Sequence, residues 1–267
     1  MDSPPFFMPT DSPPASGALS GLRHSSAAAF IGPFAVFMVL QQIIQWARSD
    51  EEGAPWWLSH PEHWGYPLQA LVCLTLVWCW RKHYPRFSWK GTGLAFIMGL
   101  IGISLWLLPP LIHTWTGLGS EESLPWLKWL GFQPRLEGFN PHLFGEAASP
   151  PLLWTIIGLR FLRLVLAVAL VEEIFWRGFL MRWLADPEKG WEQQPIGKYN
   201  ALPFWLTSLA FALAHLGPDF AVALIYGSLA GWVTIHTRNL WAVVIMHSTA
   251  NLALGLFIMN TGWWGLW

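Results

Sequence analysis

Charge is scarce in this sequence. Only 12% of its 267 residues are Asp, Glu, Lys or Arg, against about 25% in an ordinary soluble domain, which excludes a conventional water-soluble globule. Neither sign predominates. A net charge of −1 offers no electrostatic footprint for nucleic acid. Cysteine is nearly absent: Cys73 and Cys79 share one apolar run, too few for a zinc cluster and poorly spaced for a disulfide, so both read as packing residues. Residues 1–22 are rich in Pro, Ser and Gly and lack the basic start and apolar core of a secretory signal; they read as a flexible tail. The common signatures of intramembrane proteases are missing as well. There is no HExxH for a helix-borne zinc pair, no GxGD for paired aspartates and no GxSG for a serine nucleophile. Ser228 lacks the flanking pattern, and no internal repeat is evident.

What is abundant is apolar length. The chain is 54% hydrophobic and holds 21 tryptophans, rings that favour the membrane–water interface. Crossing a bilayer takes about 20 apolar residues, and the chain reads as an all-α, polytopic transmembrane bundle of about seven spans (six to eight). The expected spans are 26–46, 64–80, 91–108 (ended by Pro109 and Pro110), 164–184, 201–216, 220–236 and 240–259. Pro33 interrupts the first, so a neighbouring element must cover the carbonyl it frees. The division is a tail over 1–24, transmembrane helices and a surface-lying connection over 25–150, and a helical core over 151–260. Arg81, Lys82, His83, Arg86 and Lys90 form the most basic short loop, which the positive-inside rule places in the cytoplasm. That implies a multi-pass membrane protein with a cytoplasmic N-terminus, and the expected location is a bacterial-type inner (plasma) membrane. Trp115, Trp126 and Trp129 suggest that 111–150 rests on the opposite membrane surface. Gly227 and Gly231 form a GxxxG pair, read as packing between helices of one chain.

Two carboxylates and a guanidinium interrupt the fourth span: Glu172, Glu173 and Arg177. Each ionisable group at that depth costs about 2.5–3.5 kcal/mol on insertion scales, and such groups persist where they pair or face a wet cavity. Glu173 and Arg177 are spaced i,i+4 in the favourable order. Glu172 points about 100° away and stays free for chemistry. Arg160 and Arg163, just before the span, are expected to snorkel to the nearer interface. Of nine histidines, most fall in loops or at span ends. His215 closes the fifth span, and His247 lies inside the last, one helical turn before Asn251. A lone intramembrane histidine is more often a helix-to-helix hydrogen bond, but three spans placing polar groups at depth argue for a shared site.

Two schemes stay open from these residues. Glu172 can act as general base towards a water that attacks a peptide carbonyl, with an imidazole or amide stabilising the oxyanion, worth about 3–4 kcal/mol per donor. Alternatively, Glu172, His215 and His247 can hold Zn2+ as a two-histidine, one-carboxylate site. Both end in peptide hydrolysis. Intramembrane Glu, His and Asn also build proton-coupled transporters, though these usually show repeats, and a non-catalytic adaptor can keep the same cavity.

Glu172-Glu173-xxx-Arg177, Phe211-xxx-His215 and His247-xxx-Asn251, in that order on three helices, resemble the CPBP family of CAAX prenyl endopeptidases and bacteriocin-processing or abortive-infection proteins. The resemblance covers roughly 152–256 and makes 151–260 a CPBP-like catalytic core. It implies that Glu172 activates water, that Glu173 and Arg177 form a structural or substrate-orienting pair, and that His215 is the second catalytic residue. His247 and Asn251 would stabilise the oxyanion or hold the water, and Phe211 would pack the helix that presents His215. Both metal-dependent and metal-free mechanisms are attached to this family. The implied substrate is a membrane-associated protein or peptide, prenylated or C-terminally tagged. The tryptophan-rich form also resembles the exosortase-associated CAAX protease-related proteins.

Overall fold

The computed structural model describes residue 21 and residues 24–142 and 149–267; the rest of the expected N-terminal tail lies outside the described residues. These residues are helical, without strands, as expected of a polytopic bundle. Seven principal helices overlap the seven expected spans: α1 (Ser26–Trp46), α2 (Glu62–Cys79), α3 (Thr92–Thr116), α4 (Pro150–Trp183), α5 (Ala201–Leu213), which stops short of His215, α6 (Phe220–Thr237) and α7 (Leu240–Thr261). Five are long and apolar enough to cross a membrane: α1, α3, α4, α6 and α7. α5 has only 13 residues, and α2 carries Glu62, His63 and Gln69.

The helix ends follow local chemistry. Ser25, Asn200 and Asn239 accept from the backbone N–H groups of Ala28, Leu202 and Trp241, capping α1, α5 and α7. Pro33 has no N–H to give Ala29 O, and Tyr84, in the loop after α2, donates its hydroxyl to that carbonyl at 2.8 Å. Burial pushes the Tyr84 phenol up, so it remains a donor. The carbonyl freed by the proline is thus covered from outside the helix. Cys73 is buried against Pro33 O, whereas Cys79 is exposed and does not pack in the interior.

Three expectations need correction. α3 does not end at Pro109 and Pro110. Both prolines are buried within it, and it stops at Gly117, whose left-handed backbone (φ 71°) closes the last turn onto His113 O. Two lost backbone bonds do not outweigh tertiary packing along 25 residues. The fourth span begins at Pro150, not at 164. Consequently Arg160 and Arg163 lie well inside a helix of 34 residues and do not snorkel; they are 3% and 7% exposed. Aromatic rings enclose Arg160, its guanidinium carbon standing 4.3 Å from the Tyr66 ring centre and about 5 Å from those of Phe139 and Trp267. Arg163 donates to Gln69 Oε1 at 2.6 Å and Gln41 Oε1 at 2.7 Å.

α7 is the most enclosed of the five long helices, with 56% of its apolar window buried against 33% for α1, and it packs on α3, α4 and α6. Gly99 lets α3 approach: a Cβ there would meet Met246 O at 2.5 Å. On α6, a Cβ at Gly227 would meet the Phe211 ring at 3.0 Å and one at Gly231 the Phe204 ring at 2.9 Å. The GxxxG pair therefore serves packing of α6 on α5. Trp115 near the end of α3, and Trp126 and Trp129 between α3 and α4, are exposed, while Leu127 and Phe139 of that connection are buried.

Candidate active site

α4 changes its winding around the charged cluster. π-helical turns at Leu162–Val168 and Ile174–Leu180 flank the α-helical stretch Ala169–Glu173. Such turns release backbone carbonyls from the helical ladder and recur at functional sites. Two of these carbonyls are taken by α7: Asn251 Nδ2 donates to Leu164 O and Ser248 Oγ to Val165 O, each at 2.8 Å. The same side chains that fix α7 on α4 thereby set the height of His247.

The two glutamates have separate surroundings. Glu173 is fully buried and accepts both Nη1 bonds of Arg177, at 3.0 and 2.8 Å, closing the i,i+4 pair. Arg177 Nη2 also donates to Gly227 O at 2.9 Å, and its guanidinium lies over the Phe211 ring. The spacing of Glu173 and Arg177 suggests an ion pair; it does not reveal a third member. His247 Nδ1 stands 2.8 Å from Glu173 Oε1. A carboxylate only accepts, so Nδ1 carries the hydrogen, and Nε2 makes no hydrogen bond among the described residues. Glu173 therefore orients an imidazole as well as neutralising Arg177.

Glu172 makes none of these contacts. Its Oε2 is buried without a hydrogen-bond partner among the described residues. Its carboxylate lines a cavity of about 210 Å³ together with His215, His247, Asn251, Tyr226 and Trp106. His215 is held by Nδ1 donation to Phe211 O at 2.8 Å, and its ring lies against Phe211, 4.5 Å between centres. Phe211 is 1% exposed and also packs on Trp176 and Tyr226, so it anchors the end of α5 as expected. The structure thus brings four of the six expected residues, Glu172, His215, His247 and Asn251, to one cavity, with Glu173 and Arg177 directly behind His247.

Sequence reasoning missed Tyr226, Trp106 and Asp219, all on the same cavity. Tyr226 is 4% exposed, stands edge-on to His247 and has no hydrogen-bond partner for its hydroxyl among the described residues. Nothing in its local sequence separates it from an ordinary core tyrosine. Asp219 is clasped by Arg135 at 2.5 Å, across a sequence gap no spacing rule covers. Two unpaired polar atoms near one cavity, Glu172 Oε2 and Tyr226 Oη, mark a place where a ligand or solvent supplies what the protein does not. Among the described residues, no three His, Cys, Asp or Glu side chains stand together as metal ligands would. Glu172, His215 and His247 are not gathered in the arrangement that a zinc ion requires.

The cavity is mostly apolar, walled by helices of the bundle, and one carboxylate and two imidazoles enter it. Residues 154–253, which contain every cavity group named above except Trp106, match the family described as Rce1-like type II CAAX prenyl endopeptidase, consistent with the CPBP resemblance. The match does not reach the exosortase-associated subfamily. It supports a CAAX protease-like enzyme, an integral membrane location and a protein or peptide substrate within the membrane. No curated protein and no solved structure matches the chain.

Proposed function

We propose that the protein is an intramembrane endopeptidase that hydrolyses a peptide bond in a membrane-associated or lipidated protein, with Glu172 as the water-activating base. One observation carries this reading: the carboxylate of Glu172, unpaired at Oε2 among the described residues, shares one cavity with His215, His247 and Asn251. Glu172 takes a proton from water as the oxygen attacks the carbonyl carbon. The oxyanion is met by hydrogen-bond donors that line the same cavity. The second Asn251 N–H is one such donor, since the first is held by Leu164 O. His215 and His247 each commit Nδ1 to an acceptor, so each Nε2 accepts from water in the neutral ring and donates in the protonated one. When the tetrahedral intermediate collapses, the C–N bond breaks and Glu172 returns its proton to the leaving amine.

The residues perform this scheme by themselves; chelation tests whether a metal takes part. The cytoplasmic N-terminus, the bacterial-type inner membrane and a prenylated or C-terminally tagged substrate belong to the same proposal, the first resting on the basic Arg81–Lys90 loop. The deciding experiment compares membrane proteomes of cells carrying wild type and Glu172→Gln. A protein that stays uncleaved only with the variant names the substrate; identical processing in both refutes the assignment of Glu172.

A further inference from the structure

Tyr226 is buried on α6 and lines the cavity that holds Glu172, His215, His247 and Asn251. Its hydroxyl has no hydrogen-bond partner among the described residues. An unmet hydroxyl in the interior is unfavourable, and a phenylalanine would fill the same space without that cost. Trp267, on the same wall, has an unpaired Nε1 as well, but its ring packs on Phe139 and Phe161. Tyr226 instead abuts an imidazole of the reacting set, 5.7 Å from the ring centre of His247.

The phenol ring is fixed by its neighbours. It stands edge-on to His247 and to Trp106, the latter at 6.0 Å between centres, and it stacks beside Phe211 at 6.1 Å. On α3, the missing side chain of Gly102 makes room for it: a Cβ there would meet Tyr226 Cδ2 and Cε2 at 2.8 Å. The next residue, Gly227, gives its carbonyl to Arg177 Nη2 at 2.9 Å. The backbone that carries Tyr226 is thereby tied to the Glu173–Arg177 pair. A donor held in this way needs no rearrangement as charge develops, the condition under which such hydrogen bonds accelerate a reaction most.

We propose that Tyr226 is a further catalytic residue, whose O–H donates to the oxyanion formed when water adds to the substrate carbonyl. The proposal rests on the peptidase reading above. With Nδ1–H committed, each neutral imidazole offers Nε2 as an acceptor, not a donor. Asn251 has one N–H left to give. Glu172 takes a proton from water, the new C–O bond forms, and the carbonyl π pair moves onto oxygen. Tyr226 and Asn251 then each donate one hydrogen bond to that oxygen, and the phenol keeps its proton throughout. As the C–N bond breaks, the electron pair returns to the carbonyl and the proton on Glu172 passes to the leaving amine.

The test adds Tyr226→Phe to the proteome comparison of wild type and Glu172→Gln. Processing of the protein so identified is then measured with the purified, detergent-solubilised full chain. Tyr226→Phe is expected to lower kcat about a hundredfold, the loss that removal of one oxyanion donor brings. KM should stay within about twofold, because the bond forms only once the oxyanion does. The unfolding midpoint should equal or exceed that of wild type, since the variant sheds an unmet hydroxyl. An unchanged kcat overturns the proposal, as does a raised KM at constant kcat, which would make the hydroxyl a ground-state contact. A kcat lost together with a lowered midpoint assigns Tyr226 to packing and also overturns it. The two readings fail distinguishably. Identical processing with wild type and Glu172→Gln sinks the peptidase reading and this proposal with it, whereas processing lost with Glu172→Gln but normal with Tyr226→Phe sinks this proposal alone.

Discussion

Removing Arg177 tests whether the buried charge cluster is both a structural and a catalytic unit. Arg177→Met deletes two hydrogen bonds to Glu173 and one to Gly227 O, all from a side chain 1% exposed. Stranding one member of a buried ion pair costs about 3–5 kcal/mol, and an unmet bond to a buried carbonyl adds about 1 kcal/mol. The expected loss is about 4–6 kcal/mol, a large share of the stability of a typical domain. It is read as a lowered unfolding midpoint in detergent. Adding Glu173→Met removes the stranded charge and should recover most of that loss. It should not recover hydrolysis, because His247 Nδ1 then has no carboxylate to orient it. A single variant that loses less than about 1 kcal/mol, or a double variant that cleaves like wild type, would refute the reasoning.

Glu172→Gln is expected to unfold at or above the wild-type midpoint, since it removes a charge with no ion-pair partner, while hydrolysis falls by at least about a thousandfold, the loss of a general base combined with a misdirected water; equal loss of stability and activity would make Glu172 a structural residue. Tyr84→Phe uncovers Ala29 O beneath Pro33 and should lower stability by about 1–3 kcal/mol with kcat unchanged once folded; a neutral effect in thermal unfolding would mean that the proline bend needs no cover. Treating the purified protein with a strong zinc chelator should leave hydrolysis intact, since the donors are not gathered as ligands. Activity lost to the chelator and restored by Zn2+ would reverse that expectation.

Much was legible in the sequence because membrane chemistry is restrictive. Apolar length and sparse charge suffice to imply a helical bundle, since lipid leaves the backbone few other ways to satisfy its hydrogen bonds. The same restriction makes Glu172, His215, His247 and Asn251 conspicuous, and an i,i+4 interval alone suggests that Glu173 pairs with Arg177. Even the need to cover the carbonyl freed by Pro33 follows from proline chemistry. Other features depended on which helices meet. The bond between Glu173 and His247 joins residues 74 apart. Arg163 is held by Gln69 and Gln41, 94 and 122 residues away, so its local sequence reads as a snorkelling arginine when it is a buried one. The two prolines of α3 were misleading for a related reason: propensity counts lost backbone bonds but not the packing that offsets them. Local periodicity determines what each segment is and which face is polar. Only the crossing of α4 with α1, α2 and α7 decides whether those faces meet.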